Sequence, residues 1–222
     1  MENKELPVCV GFIMDGNRRF AALQNQPDIF GHIAGKEKFI EVADFVVEAG
    51  IPHAVFYAFS TENWKRTPKE VEQLLDLMLN DLRDRVKAKI KVIGQISDLP
   101  QAVQENITRH EEASLEVNYA TTIWVALSYG GRAEILAAVN EAIASGKPVS
   151  EEQFSRLLWG SEMPDPDLII RTGGEKRLSN FLPWQSIYSE LFFSDTYWPA
   201  FSKEDFLHIL ADYSRRERRS GQ

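Results

Sequence analysis

Short runs of β-branched and aromatic residues alternate along this chain with longer stretches of helical period, the pattern of parallel strands joined by helical crossovers. Strands are expected near 7–13, 53–59, 90–96, 121–127, 167–171 and 190–193. Between them, Phe39, Val42, Ala43, Val46 and Val47 form one helical stripe that stops at Gly50, a good residue to end a helix. Thr67-Pro68-Lys69-Glu70 reads as a capping box with proline at the first helical position, opening a helix with Val71, Leu74, Leu75, Met78 and Leu82 on one face. A polar helix is expected around 100–113, another from Arg132 to Ala144 before Gly146, and a further capping box at Ser150 to Gln153. A last helix follows Ser202, with Phe206, Ile209, Leu210 and Tyr213 inward. No repeat, low-complexity tract or long linker divides the 222 residues, so the expectation is one α/β domain over 1–222 with a six-stranded, mostly parallel sheet flanked by helices.

The unusual polar clusters fall just past the ends of these strands. Asp15-Gly16-Asn17-Arg18-Arg19 follows the first, Ser60 to Arg66 the second, Ser128-Tyr129-Gly130-Gly131-Arg132 the fourth and Arg171-Thr172-Gly173-Gly174 the fifth. Carboxyl ends of parallel strands share one edge, where ligands of open α/β sheets bind, so these clusters converge on one crevice. It would hold Arg19, Arg66, Arg171 and Arg177, with His32 and Lys36 as further candidates, in a chain of net charge −8. That charge excludes a chain-wide nucleic-acid surface and makes any anion site a local concentration of arginine. Planar guanidinium forks match phosphate oxygens, and the Gly173-Gly174 amides are free to approach an anion, which points to phosphate or diphosphate.

A carboxylate among such arginines suggests a shared Mg²⁺, with Asp15 as a ligand and Glu190 as a second. Plainer readings stand beside these: Arg132 as a helix cap, Asp15 as a turn residue. Asp165-Pro166-Asp167 reads as a turn before a strand rather than a metal-binding pair, and His53 and His110 as surface or satisfied core residues. Phosphate-loop, dinucleotide, serine-hydrolase and zinc motifs are absent.

The single cysteine, Cys9, lies in an apolar run and reads as a buried, inert thiol in a reducing compartment. Met1 to Leu6 lacks the pattern of a signal peptide, and no apolar run approaches the ~20 residues of a spanning helix. A cytoplasmic protein is expected.

Ile13 to Ala21, Gly31-His32 with Gly35, Tyr57 to Trp64, Ser128 to Arg132, and Asp167 to Asn180 together resemble the motifs of the cis-prenyltransferases, and the likeness continues through Glu190-Leu191-Phe192-Phe193 and Trp198-Pro199 to Arg216-Glu217-Arg218-Arg219. The resemblance implies Mg²⁺-dependent condensation of isopentenyl diphosphate with an allylic diphosphate, each new double bond being cis. It implies Asp15 assisting departure of the allylic diphosphate with Mg²⁺, and Asn63 as the second catalytic residue, placed near isopentenyl diphosphate for attack and proton loss. Gly16, Asn17, Arg18, Arg19, Phe20 and His32 correspond to the allylic diphosphate site; Arg171, Arg177 and Ser179 to the isopentenyl diphosphate site; Glu190 to a metal ligand near a dimer interface. Ser60, Thr61, Glu62, Trp64 and Arg66 lie on the segment that in this family closes over substrate. A homodimer and transient membrane contact during product release are expected on the same ground. The aspartate-rich DDxxD clusters of trans-type prenyl synthases are absent, which supports the cis assignment.

The chain also departs from the family pattern. Asp28 stands where bacterial members carry an arginine that touches the allylic diphosphate, so either this loop turns away or the allylic substrate binds weakly or differently. Phe20 replaces a commoner tryptophan, Ser128 an asparagine and Lys176 a histidine, while Arg219-Ser220-Gly221 keeps a pattern that in relatives reaches across the dimer. Product length would be set by a hydrophobic tunnel walled by Ala58, Leu75, Met78, Leu82, and Trp124 or Leu127; strand alternation puts the last two on opposite faces. Undecaprenyl diphosphate synthase-like activity is the leading expectation. The alternatives are a short-chain or irregular prenyl diphosphate synthase and a non-catalytic subunit of the same fold.

Overall fold

All six expected strands form, as Cys9–Ile13 (β1), His53–Ser60 (β2), Lys89–Ile93 (β3), Thr122–Tyr129 (β4), Leu168–Arg171 (β5) and Glu190–Phe193 (β6). The computed structural model describes residues 6–79, 85–115 and 117–216. Its sheet has the order β3-β4-β2-β1-β5-β6, with every pairing parallel rather than most of them. The chain steps from β1 outward through β2 to β3 and β4, then crosses to the other side of β1 to form β5. The strand order therefore reverses between β1 and β5, the place where open α/β sheets leave a crevice.

Helices Asn17–Leu23 (α1), Asp28–Glu48 (α2), Pro68–Leu79 (α3), Gln101–Leu115 (α4), Gly131–Ala144 (α5), Glu151–Ser155 (α6) and Lys203–Tyr213 (α7) connect or follow the strands. The capping boxes expected at Thr67 and Ser150 are made: Thr67 N–H donates to Glu70 Oε2 at 3.2 Å, and Ser150 N–H to Gln153 Oε1 at 2.9 Å. Helix α2 starts eleven residues before its apolar stripe, at Asp28, because its first turns pack on α1 rather than on the sheet.

Both faces of the sheet are covered, as a parallel sheet requires. Val10, Phe12, Ala54 and Phe56 point into a core shared with α2, α3 and α7, while Cys9, Ile13, Val55 and Trp124 point into a second core with Met163, Phe181 and Leu182. Phe12 and Phe56 stack at 4.7 Å between ring centroids, and Phe39 meets Phe56 edge-on at 4.5 Å. Cys9 is fully buried, as expected, and burial pushes its thiol pKa up. Asp167 Oδ2 accepts the Val8 and Cys9 amides, at 2.7 and 3.2 Å, while Asp165-Pro166-Asp167 leads into β5 as irregular chain with a bend at Asp167 rather than as the turn expected. Leu82 and the Arg219-Ser220-Gly221 tail lie outside the described residues, as does most of Met1 to Leu6.

Candidate active site

Strand register builds the centre of the crevice. Ile13, last residue of β1, is level with Arg171, last residue of β5, so Asp15 leaves the sheet beside the Arg171 guanidinium. Arg171 Nη2 donates to Asp15 Oδ2 at 2.8 Å, and Arg19 Nη2, one helical turn on, to Oδ1 at 3.0 Å. Thr172 holds the backbone: its Oγ1 lies 2.8 Å from the Asp15 carbonyl and accepts the Asp15 amide at 3.1 Å. Burial opposes the charge on Asp15, but Arg171 and Arg19 outweigh it and hold the carboxyl below its ordinary range.

Arg171 is only 4% exposed. Its Nη1 donates to Ser179 Oγ at 2.7 Å and to the Arg177 carbonyl, while its Nε is buried without a partner. The three residues expected at one diphosphate therefore do gather, with Arg171 clasping the loop and the Arg177 guanidinium outside it, paired with Glu175.

That loop is held in unusual backbone geometry. Ser179, Asn180 and Leu182 all have left-handed φ, at 50°, 69° and 48°, which for non-glycine residues persists only where surrounding contacts enforce it. Asn180 supplies many of these contacts. Its Nδ2 donates to Glu62 at 3.0 Å, its Oδ1 accepts the Arg132 amide at 2.9 Å and its carbonyl accepts the Gly131 amide at 2.8 Å. Gly173, at φ +85°, leaves room for its neighbours: a Cβ there would sit 2.7 Å from Arg19 Nη2. The expectation that the Gly173 and Gly174 amides face an anion is overturned, because they donate to the Thr196 and Ser194 carbonyls, each at 2.8 Å, along the return from β6.

The other half of the crevice depends on a close helix contact. At Gly31 and Gly35 a Cβ would fall 2.0 Å from the Asn17 carbonyl oxygen and 2.4 Å from Asn17 Oδ1, so α2 approaches α1 as only glycines permit. This brings His32 to Asp15, Arg18, Arg19 and Arg66 around a polar pocket of about 370 Å³. Burial, aided by Arg66, lowers the His32 pKa to about 4, so its imidazole is neutral at pH 7 and offers one donor and one acceptor. Asp28 does not turn away: it opens α2 and forms an ion pair with Arg18 at the pocket rim.

A second cavity of about 160 Å³ adjoins this pocket, sharing Met14, Asn17, His32 and Arg66 with it. Phe39, Ala58, Leu74, Leu77, Val125 and Trp198 make it apolar. Asn63 stands at its edge with Oδ1 accepting the Ser60 amide at 2.9 Å, and Lys36 lines it too. Of the expected wall residues, Ala58 lines this cavity, whereas Leu75 and Leu127 sit in the adjoining core. Trp124 faces the other side of the sheet, donating to His53 Nδ1 at 3.3 Å. The Met78 side chain lies outside what is described.

Ser60, Thr61, Glu62 and Trp64 form a 3₁₀ turn over Thr61–Lys65 and its start, pinned where Glu62 meets Asn180 and where Trp64 Nε1 donates to Ser128 Oγ at 2.9 Å. Phe20 stacks on Phe30 at 6.5 Å and lines neither cavity. Glu190 stands first in β6, as expected, and within one chain this keeps it away from Asp15. It is level with Leu168 at the amino end of β6, three residues and so about 10 Å along the sheet from the Arg171 edge, and it pairs with Arg216. Sequence reasoning also passed over Thr172, Asn180 and Tyr197, whose ring lies 5.2 Å beneath the Arg19 guanidinium. Thr172 and Asn180 stand inside a quoted motif, but nothing local marks Tyr197.

Residues 13–221 match a family model described as "Putative undecaprenyl diphosphate synthase". The chain belongs to this prenyltransferase family. It is 47% identical over 234 residues to a tritrans,polycis-undecaprenyl-diphosphate synthase (geranylgeranyl-diphosphate specific) of Thermoplasma volcanium, covering 97% of this chain and 89% of that one. It is 43% identical to an isoprenyl transferase of Thermotoga maritima, with 97% of each chain covered. The crystal structure of lavandulyl diphosphate synthase from Lavandula x intermedia in complex with dimethylallyl diphosphate superposes with a TM-score of 0.89 at 29% identity, over 98% of this prenyltransferase and 99% of that chain.

Proposed function

We propose that this prenyltransferase condenses isopentenyl diphosphate with an allylic diphosphate to give a (Z)-polyprenyl diphosphate. The observation that carries the reading is the adjacency of the two cavities: an arginine-rich pocket shares Asn17, His32 and Arg66 with a cavity whose remaining wall is largely apolar. An amphiphile with an anionic head and a hydrocarbon tail matches both halves at once.

Asp15 suits Mg²⁺. It lines the polar pocket as a carboxylate ionised at neutral pH, and Mg²⁺ takes one or two carboxylates together with substrate phosphate oxygens. No group of three or more His, Cys, Asp or Glu gathers among the described residues, which fits an ion that arrives with the diphosphate rather than one caged by protein. When bound, the ion neutralises charge on the departing diphosphate. The chain's own residues supply the rest. Arg18, Arg19 and Arg66 offer N–H donors to the diphosphate as the C–O bond breaks, and neutral His32 adds a hydrogen bond. The Asn63 amide, oriented through its Oδ1, has no basic atom, so its part is to position isopentenyl diphosphate, not to take its proton. Arg171, Arg177 and Ser179 bind the second diphosphate when the Arg171 clasp exchanges partners.

A homodimer belongs to the same proposal. Ile187 and Tyr188, 74% and 77% exposed, precede the edge strand β6, and Glu190 on that strand would reach a metal only from a partner. No helix among the described residues is long and apolar enough to cross a membrane, so contact with a membrane during product release is peripheral in this scheme. A short or irregular product is the second reading, favoured by the apolar cavity of about 160 Å³, which is below the usual range for drug-sized ligands.

The test is incubation of the purified protein with Mg²⁺, labelled isopentenyl diphosphate and allylic diphosphates of increasing length, with the dephosphorylated products sized by chromatography. A long ladder supports polyprenyl synthesis, and a single short product supports the second reading. No product with any primer, for wild type and Asp15→Ala alike, refutes both.

A further inference from the structure

The pocket rim carries a carboxylate that the proposed reaction does not use. Asp28, at the first turn of α2, forms an ion pair with Arg18, although ten residues separate them. The contact is possible because Gly31 and Gly35 let α2 lie against Asn17, which packs α2 closely on α1. Arg18 lines the polar pocket together with Arg19 and Arg66, yet two of these three guanidiniums already pair with a carboxylate. Arg19 has Asp15 and Arg18 has Asp28, whereas Arg66 feels the positive charge of Arg18 more strongly than the carboxylates of Glu70 and Asp28. Of the carboxylates, Asp15 is fixed by Thr172 and Arg171, whereas Asp28 and Arg18 stay 44% and 58% exposed and are held mainly by each other.

Taking the pocket as a diphosphate site, as proposed above, we propose that Asp28 is a built-in competitor for Arg18. Because Asp28 occupies Arg18 Nε, an incoming diphosphate either takes the Nη donors of a guanidinium whose charge Asp28 already offsets or displaces the carboxylate. It also meets a like charge at the rim. Asp28 therefore weakens the hold on the allylic diphosphate and shortens its stay between condensations. The carboxylate plays no part in bond making; it tunes affinity at one of the two substrate sites.

Asp28→Asn keeps a side chain suited to a helix start and removes the charge, and Asp28→Ser provides a second variant should the first fold poorly. Titration calorimetry with inorganic pyrophosphate would show the Asp28→Asn variant binding roughly two- to fivefold more tightly than wild type, the range that one exposed ion pair spans. In an Arg18→Ala background the same change would gain clearly less, because the group competed for is gone. In steady state the KM for the allylic diphosphate would fall by a similar factor while that for isopentenyl diphosphate stays unchanged. Equal pyrophosphate affinity with and without the Asp28 charge overturns this proposal alone, as does an equal gain in both Arg18 backgrounds or a fall in both KM values. Absence of pyrophosphate binding in every variant overturns the diphosphate reading of the pocket, and this proposal with it.

Discussion

Asp15→Asn tests whether the centre of the crevice is a charge pair or only a turn. Arg171 is 4% exposed and Asp15 29%, so the substitution leaves a buried guanidinium facing a neutral amide. Removing one partner of a fully buried pair costs about 3–5 kcal/mol. Partial exposure of Asp15 lets water reach the vacated donors, and a cost of about 2 kcal/mol is expected, or roughly 4–8 °C in Tm for a chain of this size. The pH dependence separates this cause from lost packing. The folded-state pKa of Asp15 is depressed, so its contribution is complete above the unfolded value of about 4 and disappears as pH falls through the lower folded value. Thermal unfolding of both proteins from pH 7 down to pH 2 is the assay, and the gap between them should be widest above about pH 5 and close towards pH 2. Equal Tm values at pH 7, a more stable variant, or a gap that persists unchanged at pH 2 would refute the charge-pair argument.

The remaining tests address the parts around that pair. His32 should titrate near pH 4 by NMR, and addition of pyrophosphate should raise that value; an ordinary midpoint in the free protein would refute the buried, neutral imidazole. Because its folded pKa lies below the unfolded one, the stability it contributes is present above about pH 6.5 and lost as pH falls through 4, and His32→Gln should flatten that loss in unfolding measurements. Gly35→Ala should destabilise by about 1–3 kcal/mol in denaturant titrations, since its Cβ would fall 2.4 Å from Asn17 Oδ1, and should weaken pyrophosphate binding by displacing His32. Ala58→Leu, which fills the apolar cavity, should shorten the product ladder, and an unchanged ladder would place the growing chain elsewhere.

The convergence of distant clusters was legible because one inference does much: in a parallel sheet the residue after each strand lies at a common edge. Asp15, Ser60, Tyr129 and Arg171 reach that edge as the register requires. The same geometry argues against Glu190 beside Asp15 in one chain, since it begins rather than ends its strand, a distinction that a list of motif residues conceals. Contacts made by the chain returning from β6 were beyond reach. The Gly173 and Gly174 amides are spent on Thr196 and Ser194, and the Arg19 guanidinium rests on Tyr197, partners that become neighbours only once β6 has paired with β5.

Asn180 shows why the loop chemistry could be sensed but not assigned. Its place in a motif suggests ligand binding, yet its side chain is engaged by Glu62 and the Arg132 amide, and its φ of 69° suits asparagine better than most residues. Such a residue shapes the crevice by joining the 173–182 loop, the start of α5 and the 61–65 turn into one unit. Asn180→Ala should therefore cost about 0.5–1.5 kcal/mol for each lost hydrogen bond, the exposed Glu62 and Arg132 partners being free to turn to water, with further strain at the left-handed backbone. Asn180→Gly would recover only the backbone part. If alanine and glycine destabilise equally in denaturant titrations, the strain argument fails; if neither does, the side chain does not hold the three segments together. Hydrogen exchange separates the remaining case, because loosening confined to 61–65 would mean that Glu62 alone depends on it, whereas loosening of all three segments is what the observed bonds require.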